Sequence, residues 1–149
     1  MQIHMKKIVL ITFILIIISG CSFEKSHKVQ SFNYSIKYES KNILVDRLID
    51  ILKPDNQNSQ QIFVGSPILE KYDVAFSGNS LAGQNITLTI PIKIYKSSEV
   101  IYANNFSSSQ YLKISNKHNA DEENLRRLQK KLYENIFNSV YRVLISLGF

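Results

Sequence analysis

Hydrophobic and polar residues alternate most regularly over residues 84–96, QNITLTIPIKIYK. Every second position is aliphatic, and the residues that would share one face are Ile86, Leu88, Ile90, Ile92 and Ile94. A period of two predicts a β-strand with one buried face. Pro91 falls inside this pattern and has no N–H for a ladder hydrogen bond, so we expect an edge strand or a bulge there.

Three shorter patterns predict further strands. They cover residues 32–38, residues 72–76 and residues 100–114, and the last follows a four-residue connection at 96–99. In the last strand we expect Val100, Tyr102 and Phe106 to share a face. Residues 54–61 are a polar loop, and residues 62–64 are a brief apolar patch that ends at Gly-Ser-Pro.

Two segments repeat apolar residues at spacings of three and four, the pattern of amphipathic helices. The first has Leu44, Leu48, Ile51 and Leu52 on one face. Ser40 or Asn42 can cap its start, and Pro54 would stop it.

The second helix is predicted to begin at Asn119, where residues 119–122 resemble a capping box. Its apolar residues recur to the C-terminus, at Leu125, Leu128, Leu132, Ile136, Val140, Val143 or Leu144, and Leu147. At 1.5 Å per residue it would be about 40 Å long.

The predicted order of elements is β-α-β-β-β-α. This order favours an α+β fold, a two-layer sandwich in which two helices pack on one face of a mainly antiparallel sheet of about four strands.

The N-terminus has the features of an export signal. Residues 8–18 are apolar except for one threonine, and Lys6 and Lys7 precede them. Eleven residues are too few to span a bilayer comfortably, so we interpret residues 1–20 as a signal peptide. Either Met1 or Met5 can be the start.

Ile18, Ser19, Gly20 and Cys21 resemble the lipobox of bacterial lipoproteins. In that class the cysteine thiol takes a diacylglyceryl group and the chain is cut just before it. We therefore expect a lipidated Cys21 with a flexible tether at residues 21–30, and a single domain over residues 31–149. Ser22 at the next position favours the outer membrane. The alternatives are an uncleaved anchor, or a chance match beside an ordinary signal peptide.

Composition narrows the classes of protein. The chain has 149 residues and a net charge of +6, which becomes +4 once Lys6 and Lys7 leave with the signal peptide. A single cysteine excludes a disulfide scaffold. The absence of a second long apolar run excludes a polytopic membrane protein.

Residues suited to catalysis do not form a pattern. The three histidines, His4, His27 and His118, have no metal-ligand spacing, and the glycines form no phosphate-binding run. We therefore expect no enzyme, no metal site and no cofactor other than the covalent lipid on Cys21.

Basic residues form two groups. One is on the second helix, at Arg126, Arg127, Lys130 and Lys131, where a solvated face is the simpler interpretation. The other is Lys93, Lys96 and Lys113, in or next to the central hairpin, and these residues can converge at the hairpin end of the sheet. Such a patch suits lipid phosphates. Nucleic acid is not an expected partner of an exported lipoprotein.

The lipobox, the order of elements and three local stretches together resemble the LptE family, the lipopolysaccharide-assembly lipoproteins of the outer membrane. The stretches are Tyr-Asp-Val-Ala-Phe at 72–76, the hairpin at 86–102, and Phe-Ser-Ser-Ser-Gln-Tyr at 106–111 followed by Ala-Asp and a leucine-rich helix. The resemblance covers roughly residues 18–147 and rests on patterns of hydrophobicity and turns. Residues 31–53 match only in pattern, and residues 54–70 contain no stretch that can be placed.

The resemblance implies a non-enzymatic protein, lipid-anchored to the periplasmic leaflet of the outer membrane of a Gram-negative cell. It would plug a large β-barrel of the LptD type, assist its assembly and help to insert lipopolysaccharide into the outer leaflet. Lys93 and Lys96 are the nearest candidates for contact with lipopolysaccharide phosphates. The alternative is another small outer-membrane lipoprotein, either an adaptor for an envelope machine or a periplasmic lipid carrier.

Overall fold

The computed structural model describes residues 34–52, 60–115 and 117–147, which lie in one compact unit, Ser31–Phe149. These residues form five strands and two helices. The strands are β1 (Ser35–Tyr38), β2 (Gln60–Val64), β3 (Ile68–Ser77), β4 (Ser80–Lys96) and β5 (Glu99–Lys113). The helices are α1 (Ile43–Leu52), between β1 and β2, and α2 (His118–Ser146), at the C-terminal end. The signal peptide, the tether and Pro54 are outside the described residues.

The five strands form one mixed sheet built around β4. β5 pairs antiparallel with β4 from Gly83 to Lys96. The other edge of β4 is shared, because β3 pairs antiparallel with residues 80–89 and β2 with residues 92–96. β1 then adds to β2 as the one parallel neighbour in the described sheet. The predicted mainly antiparallel α+β sandwich is confirmed, with one strand more than predicted because residues 60–64 are a strand.

The expectation that Pro91 marks an edge strand or a bulge is wrong, because β4 is the central strand and its register with β5 is regular at Pro91. Pro91 lies where β4 changes partners from β3 to β2, and its carbonyl oxygen accepts a 2.8 Å hydrogen bond from the N–H of Gly65 in the β2–β3 connection. The nitrogen and oxygen of a strand residue point to the same neighbour. The nitrogen of Pro91 therefore faces that connection, so its lack of an N–H removes no hydrogen bond to β5.

Both helices pack on one face of the sheet. α2 lies on β5 and β4, whereas α1 lies on β1 and against α2. The predicted alternation in β4 is confirmed, since Ile86, Leu88, Ile90, Ile92 and Ile94 are all buried on this face. In α1, Val45 is buried and Ile51 is exposed, so the buried face is rotated from the predicted one. In α2 the buried residues are Leu132, Ile136, Phe137, Val140 and Leu144.

The two helices differ in how their N-termini are capped. Oδ1 of Asn42 accepts hydrogen bonds from the N–H groups of Leu44 and Val45, so Asn42 is the predicted cap of α1. The predicted capping box of α2 is wrong, because the helix begins one residue before Asn119 and its cap residue, Lys117, makes no side-chain cap bond. Asp121 instead accepts hydrogen bonds from the N–H and the hydroxyl of Ser115.

A tight turn and a bulge shape the β4–β5 hairpin. Ser97 and Ser98 connect the strands, both with positive φ, which is the geometry of a type I′ turn. Close to the turn, β5 contains one extra residue. Tyr95 pairs with Val100, whereas the preceding residue of β4, Ile94, pairs with Tyr102. The extra residue puts Val100 on the opposite face from Tyr102 and Phe106. The prediction that all three are in phase is therefore wrong.

Candidate functional site

The face of the sheet that the helices leave uncovered, here called the open face, is mostly polar. Its β4 residues are Thr87, Thr89, Pro91, Lys93 and Tyr95, which alternate with the buried isoleucines and leucine. The hydroxyl of Thr89 forms a 2.8 Å hydrogen bond with that of Ser107 on β5, and Thr87 and Ser109 form the same contact one pair further along. These pairs give the centre of the open face a surface of hydroxyl groups.

Lys93 lies on the open face beside an aromatic residue and a second lysine. In the row that crosses the sheet, Lys93 pairs with Phe63 of β2, and Phe63 pairs with Lys37 of β1. Strands are about 4.8 Å apart, so the Cα atoms of Lys37 and Lys93 are about 10 Å apart with the ring of Phe63 between them. Two ammonium groups on flexible stems can therefore reach the two ends of one anionic group.

Glu39 is the acidic neighbour of this row. Its carboxylate accepts a 2.9 Å hydrogen bond from the N–H of Ser66, and this bond lowers the pKa of Glu39, with a smaller lowering from the charge of Lys93. The carboxylate therefore stays ionised at neutral pH and offsets part of the positive charge of Lys93.

Lys96 lies at the hairpin end of the sheet, where it pairs with Glu99 beside the turn. β1 starts at the same end, because Ser35 is aligned through Gln61 and Tyr95 with Val100. β1 and Lys96 are therefore at the same end of the sheet, with β2 between β1 and β4.

Lys113 does not join Lys93 and Lys96, so the expected convergence of the three lysines is wrong. Lys113 pairs with Gly83, whereas Lys93 pairs with Ala103, ten residues earlier on β5. At about 3.3 Å per residue the two positions are roughly 33 Å apart. The reason is the length of β5, which returns along almost the whole of β4.

The basic group on α2 has acidic partners on the same helix. Arg127 and Arg126 contact the two oxygens of Glu123 at 2.9 Å and 2.6 Å. These two guanidinium groups, Arg127 first, lower the pKa of the Glu123 carboxyl. The side chains of both arginines are more than 70% exposed, which agrees with a solvated face.

The space between sheet and helices holds the apolar core of the described residues. Nineteen apolar side chains, each at most 9% exposed, form one cluster there. An open cleft of about 400 Å³ lies instead at the start of α2, lined by Gln84, Leu112, Ile114, His118, Asp121, Glu122 and Leu125. A lipid carrier needs a closed apolar cavity, and this cleft is open.

Other kinds of site are not formed by the residues that the structure describes. No three of their histidine, cysteine and carboxylate side chains are grouped to hold a metal ion. Neither α1 nor α2 is long and apolar enough to cross a membrane. The predicted lipidation site, Cys21 with Ile18, Ser19 and Gly20, is outside the described residues and stays a prediction.

Lys37 and Phe63 belong to the open face but were not among the predicted site residues. The alternation of residues 32–38 already placed Lys37 on the polar side of its strand. Its proximity to Lys93 depends on β2, which joins the two strands, and a patch of three apolar residues was too short to predict that strand.

The fold is similar to solved structures of bacterial lipoproteins. Rare lipoprotein B from Shewanella oneidensis matches with a TM-score of 0.62 and 11% identity, over 78% of this chain and 99% of that one. A minor lipoprotein from Acinetobacter baumannii matches at 0.62 and 12% identity, over 75% and 89%. An uncharacterized lipoprotein B from Nitrosomonas europaea matches at 0.64 and 10%, over 74% and 79%. No family model and no curated protein matches the sequence. At these identities the likeness shows a shared fold alone.

Proposed function

We propose that this chain is a non-enzymatic outer-membrane lipoprotein of the LptE kind, anchored through lipidated Cys21. In this role it plugs a large β-barrel of the LptD type, assists its assembly and helps to insert lipopolysaccharide into the outer leaflet. The observation that carries the proposal is the fold shared with lipoprotein B along nearly that protein's whole length, together with the lipobox at residues 18–21.

The open face supports a role inside a barrel. A wide barrel has a polar lumen, and a domain that fills it needs polar groups on its surface. The hydroxyl pairs Thr89–Ser107 and Thr87–Ser109 supply donors and acceptors on a rigid sheet. The apolar side chains of β4 point to the other face, where the helices cover them.

The positions of Lys37 and Lys93 on the open face support contact with phosphate groups, whereas Lys96 belongs to the opposite face of β4. Ammonium groups on two strands separated by one strand can bind one anionic headgroup from two sides. These residues are at or towards the hairpin end of the sheet, where β1 begins.

Co-purification tests the proposed partner. The chain with a C-terminal affinity tag is produced at its natural level, and outer membranes are solubilised in mild detergent before capture. The proposal predicts a large β-barrel protein in the eluate at about one copy per tagged chain. Capture of the tagged lipoprotein without a barrel protein would contradict it, and a tagged Cys21→Ala variant shows how far recovery depends on the anchor.

A further inference from the structure

Among the described residues, β1, β3 and β5 each pair with another strand on one side only. β3 pairs with β4 along one side, and no described residue pairs with its other side. Neither helix packs extensively on β3, because α2 lies on β4 and β5 and α1 on β1. The free N–H and C=O groups along such an edge are a template for another strand.

The side chains of β3 are exposed as well. Ala75 is half-buried, and the other nine residues of the strand are exposed. Five of these nine are large and apolar: Ile68, Leu69, Tyr72, Val74 and Phe76. Phe76 is 64% exposed and Tyr72 is 54% exposed. The charged residues Glu70, Lys71 and Asp73 lie among them, and exposed apolar side chains along an unpaired edge favour pairing with another strand.

The charges in the middle of β3 select one way of pairing two copies. In an antiparallel pair of strands, residues directly opposite each other point to the same face. A two-fold axis between two copies of one strand must therefore lie midway between the two copies of a single residue. An axis at Tyr72 places Lys71 of each copy opposite Asp73 of the other. An axis one residue away in either direction places Lys71 opposite Lys71, or Asp73 opposite Asp73, and like charges directly opposite are destabilising.

We propose that β3 binds a second copy of this chain, antiparallel, with Tyr72 at the two-fold axis. The two five-stranded sheets then become continuous through residues 71–73, which precede the register shifts that β3 has between Asp73 and Phe76. One oxygen of Asp73 already accepts a 2.7 Å hydrogen bond from Nε2 of Gln84, and its second oxygen is the acceptor for Lys71. This dimer concerns the chain outside any barrel, so it can fail independently of the proposed function.

Disulfide trapping of the full-length protein in mild detergent tests the register. Opposite residues of antiparallel strands have Cα atoms about 4.5–5.5 Å apart, within the range of a disulfide. The Tyr72→Cys variant should therefore form a covalent dimer on mild oxidation. The unchanged protein measures any linkage through Cys21, and Glu122→Cys, on an exposed part of α2, measures random collision. A dimer yield from Tyr72→Cys no higher than that of these two controls would overturn the proposal.

Charge reversal in the Tyr72→Cys background tests the pairing of Lys71 with Asp73. In Lys71→Glu alone, two carboxylates face each other at each contact between residues 71 and 73. In Asp73→Lys alone, two ammonium groups face each other there. Each variant should lose the dimer. A mixture of the two variants restores opposite charges at both contacts and should recover it, while Lys113→Glu, on β5, should leave it unchanged. Failure of the mixture to recover the dimer, with circular dichroism of both variants unchanged, would overturn the register.

Discussion

The N–H of Gly65 donates a 2.8 Å hydrogen bond to the carbonyl oxygen of Pro91, at the point where the central strand exchanges one neighbour for another. A Cβ atom on Gly65 would lie 3.1 Å from both Cβ and Cγ of the Pro91 ring. The contact therefore depends on a glycine packed against a rigid ring, and it joins β2, β3 and β4.

Adding a methyl group at this contact should weaken the fold. Gly65→Ala is expected to lower the free energy of unfolding by about 1–3 kcal/mol, because the crowded ring and strand must shift. Urea denaturation measures this loss. Pro91→Gly removes the ring atoms, so Gly65→Ala should cost less in that background. An equal loss in both backgrounds would show that the ring is not the cause.

Much of the fold could be predicted from periodicity, and the failures have physical reasons. The five aliphatic residues of β4 share a buried face as predicted. Pro91 was expected at an edge or a bulge because a proline has no N–H, but the neighbour on that side changes at Pro91 and no ladder bond is needed there. Local sequence does not determine where a strand changes partners.

The candidate site was predictable only in part. Lys93 and Lys96 belong to a strand whose pattern is clear, so their positions relative to each other follow from it. Lys113 was expected nearby, but the position of its strand end depends on how far β5 pairs with β4. Lys37 comes beside Lys93 through β2, whose five residues give too short a signal.

The pH dependence of stability should include a contribution from Glu39. The hydrogen bond from Ser66 and the charge of Lys93 lower the pKa of this carboxyl in the folded state. A lowered pKa means that the contribution is complete above the ordinary glutamate pKa of about 4.3 and is lost as the pH falls through the lower, folded-state value. Glu39→Gln should therefore be less stable than the unchanged protein at neutral pH.

Urea midpoints of the two proteins, measured from about pH 7 down to about pH 3, check this expectation. The difference between them should narrow on the acidic side. A difference that stays constant over the whole range would mean that ionisation of Glu39 does not stabilise the fold.

Lipopolysaccharide binding should depend on the lysines at the hairpin end. Lys93→Gln combined with Lys96→Gln removes both charges without placing a new carboxylate beside Glu39. We expect the Kd for lipopolysaccharide to rise at least about tenfold, equivalent to 1.4 kcal/mol. The double variant Lys130→Gln, Lys131→Gln on α2 removes the same charge elsewhere and should change little. A loss of equal size in both double variants would indicate nonspecific attraction.

Lipidation should depend on Cys21. Cys21→Ala removes the thiol that accepts the diacylglyceryl group, so metabolic labelling with a radioactive fatty acid should disappear and the precursor should no longer be processed by the lipoprotein route. Ser22→Ala is the matched control and should be labelled normally. Label that persists in Cys21→Ala would contradict the interpretation of residues 18–21 as a lipobox.

The proposed barrel partner can be tested at the open face itself. A photo-crosslinking amino acid replaces Ser107, which is exposed and belongs to the hydroxyl pair with Thr89. The same amino acid at the buried Ile136 serves as the control. Irradiation of living cells is predicted to give, from position 107 alone, an adduct between this chain and a large outer-membrane β-barrel protein. If position 107 gives no such adduct at normal expression, the account of this chain as a barrel plug is contradicted.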